Sequence, residues 1–156
     1  MLTVRAVAAD SPAARGLLDE YFAMRAAGFP GGAYRTTYPD PAAFVPPAGV
    51  FVIAEDDAGA ARGCGGIRRI PDGPSGLRYE VKHLFMQPSA RGLGGGRILL
   101  TALEAKAREF GAADLVLDTH HSLDAAAGLY ASSGFAAILP YNDNANATRW
   151  YGKPLT

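Results

Sequence analysis

The sequence predicts an α/β fold of about seven strands and about four helices. Three observations lead to it. Segments with the two-residue period of strands alternate with segments at helical spacing along the whole chain. Leu84 to Leu100 holds an apolar extended run, a proline-headed loop and a glycine-opened amphipathic helix in direct succession. The length, 156 residues, suits one domain with a sizeable core, expected to span residues 1–156.

The elements follow in order. Leu2, Val4 and Ala6 alternate with Thr3 and Arg5, as in a half-buried strand. Ser11-Pro12 reads as a helix N-cap and first residue, with Leu17, Leu18, Tyr21, Phe22 and Arg25 at helical spacing behind it. Gly28 to Pro47 is a glycine- and proline-rich loop carrying Tyr34, Arg35 and Tyr38, with one short helix expected near Pro41–Val45. Val50–Ala54 is a strand. Asp56-Asp57-Ala58-Gly59 turns into a return strand from about Arg62 to Ile70. Pro71-Asp72-Gly73-Pro74 turns again, and Tyr79–Gln87 is the next strand. The helix after the glycines places Ile98, Leu99, Ala102, Leu103 and Phe110 on one face, and Gly111 closes it. Leu115-Val116-Leu117 is a short buried strand, Asp124–Ser133 a helix ending at Gly134, and Phe135–Leu139 and Thr148–Lys153 the last strands.

The glycines are the chemically informative feature. Arg91-Gly92-Leu93-Gly94-Gly95-Gly96-Arg97 opens a helix whose first-turn N–H groups are free to cradle a phosphate, and glycine lets the backbone come close. A P-loop would end in Gly-Lys-Ser/Thr, whereas Arg97-Ile98 follows Gly96. A dinucleotide fingerprint needs a third glycine where Arg97 stands. A ligand-free turn is the remaining alternative.

Bulk properties exclude some classes. Fifteen basic and fifteen acidic residues give zero formal net charge, against a dedicated nucleic-acid binder. The single cysteine, Cys64, rules out an internal disulfide and fits a reducing compartment. No long apolar run suggests a membrane span, and Met1-Leu2-Thr3-Val4-Arg5 does not read as a signal peptide. A cytoplasmic protein without a membrane or nucleic-acid partner is the expectation. Asp118-Thr119-His120-His121 invites a metal reading, but adjacent strand residues point to opposite faces, so no metal is expected. Cys64 within Gly63-Cys64-Gly65-Gly66 reads as a buried small side chain rather than a nucleophile.

Arg91-x-x-Gly94-x-Gly96 after a strand, Leu129-Tyr130-x-x-x-Gly134-Phe135, and the order of elements together resemble the GCN5-related N-acetyltransferase (GNAT) superfamily over nearly the whole chain. Glu80-Val81-Lys82-His83-Leu84-Phe85, Asp118-Thr119 and the stretch from Tyr141 to Trp150 resemble a bacterial small-molecule subgroup. The resemblance implies a mixed central sheet of six to seven strands whose fourth and fifth strands splay to hold acyl-CoA. It implies that Leu84, Phe85 and Met86 bond the pantetheine and polarise the thioester, and that Arg91, Gly92, Leu93, Gly94, Gly95, Gly96 and Arg97 take the pyrophosphate. It makes Tyr130 the general acid to the thiolate; on spacing alone Tyr130 reads equally as core. It makes Glu80 the general base, with His83 the competitor on pKa grounds. Alternation puts the two on opposite faces unless a bulge intervenes, and the family carries one in this strand. Leu123 stands where the family often has Asn, so Ser122 or Asp124 is expected to cap the following helix.

The implied function is acetyl transfer from acetyl-CoA to a primary amine of a small molecule by direct attack, with no metal. A non-catalytic acyl-CoA-binding module and acetylation of a protein or peptide amine are the alternatives. Tyr34, Arg35, Tyr38, Asp143 and Trp150, with Asn142 and Asn144, are the expected acceptor-binding positions, Arg35 for a carboxylate and Asp143 for an ammonium. A homodimer is an assembly many relatives adopt.

Overall fold

The computed structural model describes residues 1–156. Strand β1 (Thr3–Val7) leads into helix α1 (Pro12–Gly28). The Ser11 hydroxyl accepts from the Ala14 N–H at 3.3 Å and Pro12 opens the helix, so two of its sequence signals do the work expected of them. After a loop come β2 (Gly49–Glu55), β3 (Ala61–Gly73), β4 (Gly76–Met86), α2 (Gly95–Glu109), β5 (Asp114–Thr119), α3 (Asp124–Ser132), β6 (Ala136–Ala137) and β7 (Arg149–Pro154).

All seven strands share one sheet in the order β1-β2-β3-β4-β5-β7-β6. The β4·β5 pair is parallel and the others are antiparallel. The sheet has a core on each face. Along β2, Val50, Val52 and Ala54 pack with Leu99, Leu100 and Leu103 of α2, while Phe51 and Ile53 pack with Leu17, Leu18 and Phe22 of α1. This is strand alternation used on both faces, which is why β2 reads as a continuous apolar run.

Strand β4 changes parity midway. Tyr79 and Val81 face the α2 core, but so do Leu84 and Met86, while Phe85 joins the α1 core. The change falls at His83, whose φ of 58° is left-handed, and the register with β3 shifts between Cys64 and Gly66. A bulge therefore turns the strand over. His83 packs on the α1 side against Phe22 and Phe44.

The expected fold class holds, with local corrections. There are three α-helices rather than about four, because Pro41–Phe44 makes only a 3₁₀ turn. Prolines at 39, 41, 46 and 47 leave no room for an α-helical stretch there. The β3–β4 turn lies at Pro74-Ser75, because β3 runs on to Gly73. Pro71 fits in the irregular stretch between Ile70 and Gly73, where a missing N–H breaks no regular ladder. The strand expected over Phe135–Leu139 pairs only at Ala136 and Ala137. Neither Ser122 nor Asp124 caps α3; Leu123 occupies the cap position without a side-chain bond.

Candidate active site

Strands β4 and β5 pair at Arg78–Asp114, Tyr79–Leu115 and Glu80–Val116 and then part. Beyond Glu80, β4 runs to Met86 and β5 to Thr119 with no pairing between them. Parallel strands of a continuous sheet would bond along their length. Parting leaves the β4 edge from Val81 to Met86 open to a cleft of about 1200 Å³.

One end of the cleft is backbone. Gly92 and Gly94 have φ of 88° and 73°, and left-handed Gly94 is the N-cap of α2. The first bond of the helix runs from the Ile98 N–H to the Gly94 carbonyl, so the Gly95, Gly96 and Arg97 N–H groups precede it. A Cβ on Gly95 would meet the end of the flexible Met86 side chain, which would have to shift. No acidic residue occupies the first turn. Arg91 donates to the Met86 carbonyl at 3.4 Å, and Arg97 reaches across to Ser132 at 2.6 Å and Ser133 at 3.3 Å. Gly92, Gly94, Gly95, Gly96 and both arginines border the cleft with Leu84, Phe85 and Met86. Leu93 does not: its side chain is 64% exposed and points away.

Tyr130, on α3, borders the middle of the cleft. Its ring packs against Phe135 and Tyr151. Burial pushes its hydroxyl pKa above the ordinary tyrosine value, so the phenol keeps its proton at any working pH.

The other end is a side-chain network. Glu80 accepts from Arg68 at 3.0 Å and from the Tyr141 hydroxyl at 2.6 Å. Asp118 accepts from Lys82 at 3.2 Å, Asn142 at 2.7 Å and Asn144 at 3.2 Å. Burial alone would raise the Asp118 carboxyl, but the Lys82 charge and the two amides outweigh it and hold its pKa below the ordinary value. Asp118 borders the cleft. Glu80 does not: it is 1% exposed and sealed behind its partners. The bulge does bring His83 into the cleft, but burial lowers its pKa to about 3, so it is neutral and a weak base.

Of the expected acceptor positions, Tyr34, Arg35, Tyr38 and Asp143 border the cleft, with Arg35 and Asp143 exposed at its mouth. Trp150 does not. Its indole N–H donates to the Asn142 side-chain oxygen at 2.9 Å, so it braces the network from behind. The Asn146 side chain clamps the Arg35 backbone, donating to its carbonyl at 2.7 Å and accepting from its N–H at 3.1 Å. The two acceptor loops are thereby joined.

Sequence reasoning missed Arg25 as a site residue. It is 8% exposed, borders the cleft, and donates to the Tyr21 hydroxyl at 3.1 Å and the Asn146 carbonyl at 3.4 Å. The signal was an arginine on the apolar face of α1, three and four residues from Phe22 and Tyr21. Asp118 entered the sequence reading through a metal pattern and a subgroup resemblance, without a site role. No group of three or more His, Cys, Asp or Glu converges as a metal site. His120 and His121 lie past the end of β5, and their rings stack at 4.3 Å instead of opposing one another. Cys64 is buried, and burial raises its thiol pKa to about 12.

Known proteins resemble this chain in sequence and in fold. An uncharacterized N-acetyltransferase of Schizosaccharomyces pombe is 36% identical over 99 residues, 64% of this chain and 59% of its own. An IAA acetyltransferase of Azospirillum brasilense is 39% identical over 91 residues, 58% of this chain and 57% of its own. The chain thus spans little more than half the length of these curated relatives. A GNAT-family acetyltransferase of Staphylococcus aureus superposes with a TM-score of 0.82 over 100% of both chains at 19% identity, a likeness of fold. The acetyltransferase (GNAT) family model matches residues 14–135. That segment takes in the parted strands, the glycine loop and the tyrosine helix, and the chain belongs to this family.

Proposed function

We propose that this chain, acting as one domain over residues 1–156, transfers acetyl from acetyl-CoA to the amine of a small molecule in the cytoplasm. The observation that carries this is the cleft itself: open strand edge, free helix N–H groups and a protonated phenol line one continuous space. The Gly95, Gly96 and Arg97 N–H groups, with Arg91 and Arg97, take the pyrophosphate. The open β4 edge, Leu84 to Met86, aligns the pantetheine and polarises the thioester carbonyl.

The acceptor nitrogen attacks the carbonyl carbon. A C–N bond forms, the C–S bond breaks, and the departing thiolate takes the Tyr130 proton. The nitrogen loses its proton to water in the cleft, and solvent returns one to Tyr130. Asp118, ionised and with its Oδ1 atom engaged only by Lys82, stabilises the positive charge on the nitrogen in the tetrahedral intermediate. Glu80 supports this site by holding Arg68 and Tyr141 and does not serve as its base. A small acceptor suits an end roofed by two loops joined at Asn146.

Thiol release from acetyl-CoA, assayed against a panel of primary amines, tests the reading. Turnover with an N-acetyl product is the expected result. Tight acetyl-CoA binding without turnover of any amine would make the chain a binding module instead.

A further inference from the structure

Inside the exposed mouth where Arg35 and Asp143 lie, three cations and two carboxylates meet at the acceptor end. Arg68 pairs with Glu80 at 2.9 Å and Lys82 with Asp118 at 3.2 Å. Arg25 is left over. It is more than nine-tenths buried, and its only acceptors are the neutral Tyr21 hydroxyl and Asn146 carbonyl. Two of its five N–H groups are used, the others have no acceptor within the protein, and the residue borders the cleft. A buried charge without a counter-charge is costly. The Tyr34 ring stacks 4.9 Å from the guanidinium carbon, which holds the fork by its face and leaves its edge free.

We propose that Arg25 is the receptor for a carboxylate on the acceptor, so that the substrate class is an amino acid: an amine and a carboxylate on one small molecule. The proposal rests on the acetyl-transfer reading above. A planar carboxylate matches the free guanidinium edge and supplies the missing negative charge. The cofactor's phosphates do not compete for it. On α1, Glu20 bonds to Gln87 beside the glycine loop, and Arg25 lies five residues further along, about 7.5 Å toward the other end of the cleft. Exposed Arg35, at the mouth, is a solvated cation and not the anchor.

The test is a matched panel of amino acids and their carboxamides, assayed by thiol release with acetyl-CoA. The acid of each accepted pair is expected to exceed its amide by about 10- to 100-fold in kcat/KM, the range of a charge-assisted hydrogen bond. In Arg25→Ala that ratio should fall to near one, mainly through KM for the amine, while Arg25→Lys should keep part of it. The ratio is independent of how much variant folds. Equal turnover of acid and amide by the unaltered protein, or a ratio that survives Arg25→Ala, overturns the proposal and leaves acetyl transfer standing. If no amine is turned over, acetyl transfer fails, and calorimetry of the same amino acids against CoA-saturated protein decides alone. Binding lost in Arg25→Ala would then support the carboxylate site, and no binding would overturn it.

Discussion

The two ends of the cleft are built by opposite means. The glycine end comes from one contiguous stretch, Leu84 to Arg97, and offers main-chain groups whose positions follow from φ angles and a helix terminus. The acceptor end comes from five separate segments, around Arg25, Tyr34, Lys82, Asp118 and Asn142–Asn146, and offers side chains held by one another. The first can be kept with a few glycines while everything else drifts. The second changes with any one of its members.

The comparison can be broken at its centre, where both ends meet the reaction. Tyr130→Phe should lower kcat by about 10²- to 10⁴-fold with little change in KM for acetyl-CoA, as expected of a general acid. Undiminished kcat would assign the ring to packing with Phe135 and Tyr151 and the proton to solvent.

At the glycine end, Gly94→Asp places a side chain on a left-handed residue and a negative charge beside the free N–H groups. Acetyl-CoA affinity should drop by at least about 100-fold in calorimetry, given the several kcal/mol that like charges cost at an interface. Circular dichroism should remain that of the unaltered protein. Retained affinity would mean that the helix terminus does not hold the pyrophosphate.

At the acceptor end, Glu80→Gln should act on stability and leave the pH profile in place. It strips Arg68 of its carboxylate, costing about 1–3 kcal/mol in a denaturation midpoint. The loss stays moderate because the Arg68 side chain is 42% exposed and can be hydrated. The acidic limb of kcat/KM should not move. A flattened limb would restore Glu80 as the base, acting through water.

The last effect concerns His83 and is confined to acidic pH. Its pKa is about 3 in the folded chain against an ordinary 6.5, so the unfolded chain takes up that proton first. The stability tied to neutral His83 is complete above about pH 6.5 and drains as pH falls toward 3. His83→Asn keeps a residue tolerant of the left-handed backbone and removes the titration. Its Tm should decline less steeply over that window than that of the unaltered protein. Parallel declines would show that His83 is charged in the fold.

Legibility in the sequence followed the same division. The order of elements, the Ser11-Pro12 helix start and the glycine loop were readable because each is a local pattern with a local physical cause. The acceptor end was readable only as a set of polar positions. Nothing local says that Trp150 turns its indole inward to Asn142 while Asp118 faces the cleft. The burial of Glu80 was illegible for a related reason: its partners Arg68 and Tyr141 come from another strand and from a distant loop, and they close over it. Arg25 was visible as an arginine among apolar helix positions, but only the fold shows that no carboxylate reaches it.

The clamp between Asn146 and the Arg35 backbone has a bearing on how acceptor choice can be redesigned. Both hydrogen bonds reach main-chain atoms of the early loop, so they tolerate a new side chain at position 35 but not a new loop path. Transplanting either loop alone from a relative would strand the amide of its counterpart. Exchange of acceptor preference between relatives should therefore succeed as a double transplant, the 29–40 and 141–148 segments moved together, or as point changes that keep Asn146.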